Sequence, residues 1–362
     1  MKPTLLVRGG ARHSGFSLIE LMIAMVLGLI VAGAASAVYL STKSAYNTSE
    51  SLGRIQESSR SSFELMARDI REAAGNPCSR DIPIVNTLRD PGTNQWWANW
   101  NGGVRGYTGS TGFVDSSSGS PGSFGTAKGQ RVSGTDAIEL RSGRSTGTVV
   151  IGDMPDSSAN IDVSKLDDIQ NNDIIFMCDF NQGAIFQVTQ LPGGLKIQHN
   201  SGAGSPGNCS KNIGYSEECD AGDPDSVCFC TNKYKGQPFG KDAVVAKLHA
   251  SRWYVGCNGR GACSLPAGRS LYQNVLRNNA GTLQQDANEI ATGVIDMDLT
   301  YLQRDETTYK LASAITDWSR VQAVRIDLTL QGEEKTGVAT DGTQTRLQRH
   351  LQHTVTLRNR MQ

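Results

Sequence analysis

Residues 16–40 are an apolar run of 25 residues whose only charge is Glu20. As a helix rising ~1.5 Å per residue, the run spans the ~30 Å hydrocarbon core of a bilayer. Any fold of the remaining chain must therefore hang from a membrane-length helix near its N-terminal end. Residues 1–15 carry Lys2, Arg8 and Arg12 and no acid, which favours a cytoplasmic N-terminus under the positive-inside bias. A secretory signal is cleaved after its apolar region and lost. Here the nearest small-residue site, Ser36-Ala37-Val38, lies inside the run, and the helical pattern continues past it. Glu20 stands out, because a carboxylate in a spanning helix costs roughly 2.5–3.5 kcal/mol at the centre and less near an end. It is either a solvated acid in the headgroup zone or a functional group with a partner.

Gly15-Phe16-Ser17-Leu18-Ile19-Glu20 resembles the processing site of type IV prepilins and pseudopilins. The resemblance implies cleavage between Gly15 and Phe16 by a prepilin peptidase, with N-methylation of the new Phe16 amine. It also implies that Glu20 pairs with the N-terminal ammonium of a neighbouring subunit during assembly. Two charges that are each costly in a low-dielectric bundle cost less together. Many major pilins carry a helix-bending proline where this chain has Ala37. Gly28 and Gly33 each cost ~1 kcal/mol of helix propensity and are the positions left for close packing or local unwinding.

The helix is expected to continue to Gly75. Leu52, Ile55, Phe63, Met66 and Ile70 recur at helical spacing, with Ser59 filling the gap and Ala73 and Ala74 ending the stripe. Glu57, Arg60, Glu64, Arg68 and Arg71 fall outside it, leaving one apolar face. Gly75-Asn76-Pro77 supplies a stop, a left-handed cap followed by a residue that cannot continue the helix. Residues 16–75 as one helix would run ~90 Å. The stripe is too short for sustained heptads and is expected to pack on the chain's own head.

Beyond Pro77 the pattern turns to β. Short strands are expected at 137–141, 147–151, 243–250, 251–256, 293–303, 321–331 and 346–359. A hairpin is expected over 173–179 and 184–191, with a third strand at 195–199. In the last strand Leu347, Leu351, Val355 and Leu357 share parity, so one face is buried. The expected fold class is α+β and pilin-like: a long N-terminal helix packed on a mainly antiparallel sheet with disulfide-stapled loops. Arg269-Ser270-Leu271-Tyr272, the stretch Glu289-Ile290-Ala291-Thr292-Gly293-Val294 and Asp298-Leu299-Thr300-Tyr301 resemble the head of PilW-type minor pilins. So do Val321-Gln322-Ala323-Val324-Arg325-Ile326 and Thr354-Val355-Thr356-Leu357-Arg358-Asn359-Arg360. The likeness is weakest over 78–133 and 203–242.

Those two stretches read as elaborated loops, with insertions at about 96–130 and 203–242. Trp96, Trp97 and Trp100 sit at the root of a Gly/Ser/Thr-rich segment, where a small core pinning the loop is favoured over a partner-binding patch. All eight cysteines follow the membrane segment: Cys78, Cys178, Cys209, Cys219, Cys228, Cys230, Cys257 and Cys263. An even count in an exported domain favours disulfides. Cys257 and Cys263 form the easiest local bridge, Cys78 and Cys178 are placed to tie the helix exit to the sheet, and the middle four staple the insert. Zinc is disfavoured, because the chain has no CxxC or HxxxH pair. Asp220, Asp223 and Asp225 are weak calcium candidates, better explained as turn formers; no cofactor is expected.

The chain has 35 basic and 35 acidic residues. Removing Lys2, Arg8 and Arg12 with the leader leaves an excess of three acids, no signature of a polyanion-binding protein. No nucleophile elbow, P-loop or dinucleotide turn appears, so the expectation is not an enzyme. Arg346, Arg349, His350, His353, Arg358 and Arg360 make the C-terminus basic, which alternation assigns to the solvent face of an edge strand rather than to nucleic acid.

The expected domains are a leader (1–15), an assembly helix (16–40), an amphipathic continuation (41–76) and a periplasmic head (77–362). The resemblance implies a minor pilin that helps initiate type IV pilus assembly, sits at the tip and supports motility or adhesion. Its implied partners are the prepilin peptidase, other minor pilins, the major pilin, the assembly platform and the inner membrane. A type II secretion pseudopilin and a tip adhesin or DNA receptor are the alternatives.

Overall fold

The apolar run and the stripe behind it form one helix, α1 (Leu18–Glu72), of 55 residues. The computed structural model describes residues 17–79, 82–89, 95–114, 120–154, 159–202, 204–216, 230, 236–332, 335, 337–338 and 343–360. Ser17 caps α1, and Ala73 and Ala74 end it. The left-handed residue at this stop is Ala74 (φ 57°), not Gly75 as the sequence suggested. Gly75 serves a different purpose: a Cβ there would lie on the Asn359 side chain and 2.6 Å from the Glu72 carbonyl.

The strands run in chain order as β1 (Ile84–Asn86), β2 (Val104–Tyr107), β3 (Ala137–Val149), β4 (Asn160–Asp162) and β5 (Ile174–Cys178). Then come β6 (Gly183–Gln187), β7 (Lys196–Gln198), β8 (Val244–Cys257), β9 (Arg269–Asn279) and β10 (Thr282–Thr292). The chain ends with β11 (Val294–Gln303), β12 (Lys310–Leu311), β13 (Val321–Gln331), β14 (Gly337–Val338), β15 (Gln344–Thr345) and β16 (Gln348–Thr356).

An eight-stranded sheet runs β1-β6-β5-β8-β3-β2, with β9 also on β8 and β10 beyond it. Its spine is β8, which pairs along one edge with β3. Its other edge pairs with β5 in its first half and with β9 in its second. All pairings are antiparallel except β1 with β6. Gly293, at φ 73°, carries the chain from β10 into a four-stranded sheet ordered β12-β11-β13-β16. Both sheets and the second half of α1 share one core, in which Met66 and Ile70 meet Ile138, Trp253, Leu299 and Ile326.

Four expectations are corrected. Residues 137–141 and 147–149 belong to one strand, broken only by an irregularity between Ser145 and Thr148, and Val150 and Ile151 lie beyond its end. Residues 243–250 and 251–256 are likewise the single strand β8. β7 pairs with β4 in a separate ribbon, because Gly193 and Gly194 at φ 102° and 58° turn the chain away from β6. In the helix stripe Leu52 is 40% exposed, and Ser51, Ser62 and Asp69 are buried in its place. The β9–β10 hairpin has no counterpart among the expected strands. Its Asn- and Gln-rich strands have low β propensity, and side-chain bonds such as Asn274 Nδ2 to Gln285 Oε1 (3.1 Å) support it instead.

Candidate assembly surface

The two halves of α1 differ in environment. Every residue from Leu18 to Tyr46 is exposed, whereas from Ser51 onward one face is buried against the head. The first half is apolar enough to cross a membrane, and the chain offers it no packing partner among the described residues. Tyr39 and Tyr46, about two-thirds exposed, stand where the apolar run gives way to polar sequence, the setting aromatic residues take at a membrane interface. Glu20 lies in the first turn, where its Oε2 accepts the Ser17 backbone N–H at 3.0 Å. The Ser17 Oγ accepts from Ile19 N at 3.3 Å. The carboxylate therefore already caps its own helix, whose N-terminal dipole favours negative charge. Gly15 and Phe16 lie outside the described residues.

The second half of α1 is keyed to the head by Asp69. Its carboxylate is buried and its Oδ2 accepts from Ser251 Oγ (3.0 Å), Trp253 Nε1 (3.1 Å) and Gln273 Nε2 (2.6 Å). Arg68, Arg144 and His249 approach Oδ1 at 3.7–3.9 Å. Burial, and then Arg144, push the His249 imidazole down to about 4 against the opposing pull of Asp69. An Asp, a His and a Ser thus meet here without a catalytic arrangement: Ser251 is fully buried and donates to Asp69, not to His249. Sequence reasoning passed over Asp69 because it read the stripe for apolar residues. The helical spacing of Ser62, Met66, Asp69 and Ala73 was the available signal.

A second polar knot lies on the opposite face of the β3–β8 pair. Glu139 receives Arg141 at 2.6 Å and Arg252 at 2.6 Å, and all three are buried. Burial alone would raise the Glu139 carboxyl, but Arg252 and Arg141 hold it below the usual carboxylate range. Arg252 stacks between Phe113 and Trp96 at 4.2 and 4.3 Å. Arg131, pushed down to about 10 by burial, continues the stack between Phe113 and Phe124. Trp96, Trp97 and Trp100 are all buried. The tryptophan cluster is therefore a core that roots the loop and supplies no exposed binding patch.

Cys78 bridges Cys178 over a sequence separation of 100, joining the helix exit to β5. Cys257 bridges Cys263 in the β8–β9 connection, and Cys209 pairs with Cys230. Cys219, Cys228, Asp220, Asp223 and Asp225 lie outside the described residues. Among the described residues no group of three metal-ligating side chains comes together. His199 is buried against Phe186, and burial pushes it down to about 4. His350 and His353 are exposed on β16.

Residues 10–36 match the model of the prokaryotic N-terminal methylation motif. With a long exposed apolar helix on an antiparallel head, the chain has a pilin-like layout whose prepilin motif fits membrane anchoring and implies processing by a peptidase. Residues 252–361 match the type IV pilus-assembly protein W model, and the two matches together support a PilW-type pilin. That second match begins in β8 and takes in β9 to β13 and β16, including the hairpin that the strand pattern did not reveal. Searches of curated proteins and of solved structures return no match.

Proposed function

We propose that the chain is a minor pilin that initiates type IV pilus assembly and remains in the tip complex, supporting motility or adhesion. One observation carries the reading: a membrane-length apolar helix, bare on every side, projects from a head whose own core is closed. Such a surface is stable only in lipid or against other apolar helices. Before assembly the subunit sits in the inner membrane with residues 77–362 in the periplasm. Cleavage after Gly15 frees the Phe16 amine for methylation, and Glu20 neutralises the amine of an adjacent subunit as the helices bundle. The head then selects among other minor pilins, the major pilin and the assembly platform.

The test is a count of surface pili in a deletion strain whose pilus retraction is also disabled. Absent pili, restored by the wild-type chain, are expected. Normal pili with failed enzyme export would replace this reading by a secretion pseudopilin. Normal pili with failed attachment or DNA uptake would make the head a receptor.

A further inference from the structure

The head has several sheet edges, and most are blunted. β12 is two residues long, β1 three and β2 four. β10 is longer, but a bulge at Glu289/Ala291 breaks its pairing. β16 differs: nine residues pair with β13 in unbroken register, and among the described residues no strand lies on its other side. Just outside that register the Leu357 N–H donates to the Gln322 carbonyl, and the Gly332 N–H donates to the Leu347 carbonyl, both at 2.9 Å. Bonded pairs alternate in an antiparallel ladder, so the odd-numbered residues of β16 bond inward to β13. The N–H and C=O groups of Gln348, His350, Gln352, Thr354 and Thr356 therefore point outward. All five residues are exposed. A long, regular, unpaired edge is a template for another strand.

The chemistry of this edge restricts what can pair with it. From Thr343 to Thr356 the chain has two arginines and two histidines and no acid, although its charge overall is balanced. Among the described residues Glu64 pairs with Arg60 (2.9 Å), Asp327 accepts from Gln352 (3.2 Å), and Asp298 stands one strand further in, opposite Asp327. Beside the edge a cleft of about 370 Å³ lies between α1 and β16, lined by Arg60, Phe63, Arg349, Leu351 and His353, with Phe63 and His353 ring centroids 4.0 Å apart. A strand added to β16 would send alternate side chains into this cleft, where cations sit beside an aromatic ring and a leucine.

We propose that the outer edge of β16 is a docking site for an extended acidic segment, alternating carboxylate and apolar side chains, from the head of another pilus subunit. The identity of the partner rests on the minor-pilin reading; the edge and its charge do not. Main-chain bonds to the five outward residues would supply affinity, and the basic cleft would supply selectivity. The position suits a contact between subunits, because the cleft is walled by the same helix whose first half bundles with its neighbours.

The test uses the full processed chain in detergent micelles and a capped eight-residue peptide of alternating valine and glutamate. Amide exchange is read in the fragment covering residues 344–357. The acidic peptide should slow exchange there, and its valine–lysine counterpart should not. Gln352→Pro removes one outward N–H at an edge position that tolerates proline and should weaken the acidic peptide about tenfold, ~1.4 kcal/mol. Arg349→Glu alters only an exposed side chain and should shift the preference toward the lysine peptide, which keeps the test decisive if the proline variant misfolds. Equal protection by both peptides, no protection, or no change in either variant would overturn the proposal. Protection by a short DNA duplex but not by the acidic peptide would make the edge a polyanion surface and overturn it equally. In cells the two readings separate. Normal pili without the chain refute the minor-pilin reading and leave the peptide result to judge the edge. Absent pili fully restored by Gln352→Pro sustain that reading and sink the edge proposal.

Discussion

Asp69→Ala should be among the most damaging single changes in the head, although it deletes only a carboxylate. The variant strands three donors at once, and two of them, Ser251 and Trp253, are fully buried. Each orphaned buried donor costs ~1–3 kcal/mol. Because the three donors share one acceptor, their losses overlap, and we expect about 3–5 kcal/mol in total. Asp69→Asn keeps an oxygen where Oδ2 stands and loses only the charge facing Arg68, Arg144 and His249. The two cations, Arg68 and Arg144, are 3.7–3.9 Å away and about half exposed, and the His249 imidazole is neutral. The attraction lost is therefore weak, and about 1–2 kcal/mol is expected for asparagine. The assay is urea unfolding of the full chain in detergent, followed by tryptophan fluorescence, with the midpoint compared at unchanged slope. An alanine variant within 1 kcal/mol of wild type, or an asparagine variant as unstable as alanine, would refute the claim that the carboxylate acts as a shared acceptor.

Gly75→Ala should destabilise the head by about 1–3 kcal/mol through overpacking against Asn359 and Glu72. Gly53→Ala, with nothing within 4 Å of its Cβ position, should instead stabilise α1 by up to ~1 kcal/mol; the same urea midpoints check both. His199 and His249 are each pushed from 6.5 to about 4 by burial, so between those values the unfolded chain binds more protons than the folded one. Stability should therefore fall as pH drops from about 6.5 to 4, by roughly 3 kcal/mol per histidine, and this loss should end below 4. His199→Phe, which keeps a ring on Phe186, should remove about half of it, and a flat melting profile across that window would count against the buried neutral imidazoles. Glu20→Ala should leave processing intact and impair incorporation into pili, read from the mature mass and from sheared filaments; normal piliation would sink the charge pairing.

The helix, its membrane half and the late strands were legible in the sequence because each is written in one period. The apolar run needs only length, and Leu347, Leu351, Val355 and Leu357 need only parity. The joins were illegible. Asp69 meets Ser251, Trp253 and Gln273 from nearly two hundred residues away, and no local pattern announces such an acceptor. The β9–β10 hairpin was missed because its strands are held by amide side chains and by a turn through Ala280 and Gly281 at φ 49° and 88°. Ala-Gly is not among the usual hairpin-turn pairs. The gap left between the strands expected at 137–141 and 147–151 contains Gly143, a residue that ordinarily weakens a strand. Here Gly143 stays in the ladder opposite Leu248, with its missing Cβ packed against Phe176.

The interior polar groups of the head join segments that lie far apart in the chain. Asp69 locks α1 to β8 and β9. Glu139, Arg141 and Arg252 lock the tryptophan loop to the β3–β8 pair, and Arg360 reaches the carbonyls of Gly102, Trp318 and Val321. Burying such groups yields little net stability compared with apolar packing. What it supplies at Asp69 is azimuth. A helix turned by one residue rotates ~100°, which would present Arg68 or Ile70 to three buried donors, one a clash of like polarity and the other no acceptor at all. A purely apolar stripe would leave no buried donor unpaired on such a slip. The keyed carboxylate therefore fixes where the head stands around α1. The β16 edge is carried by the head, so a head free to rotate would offer that edge in every direction. A head held by Asp69 offers it in one.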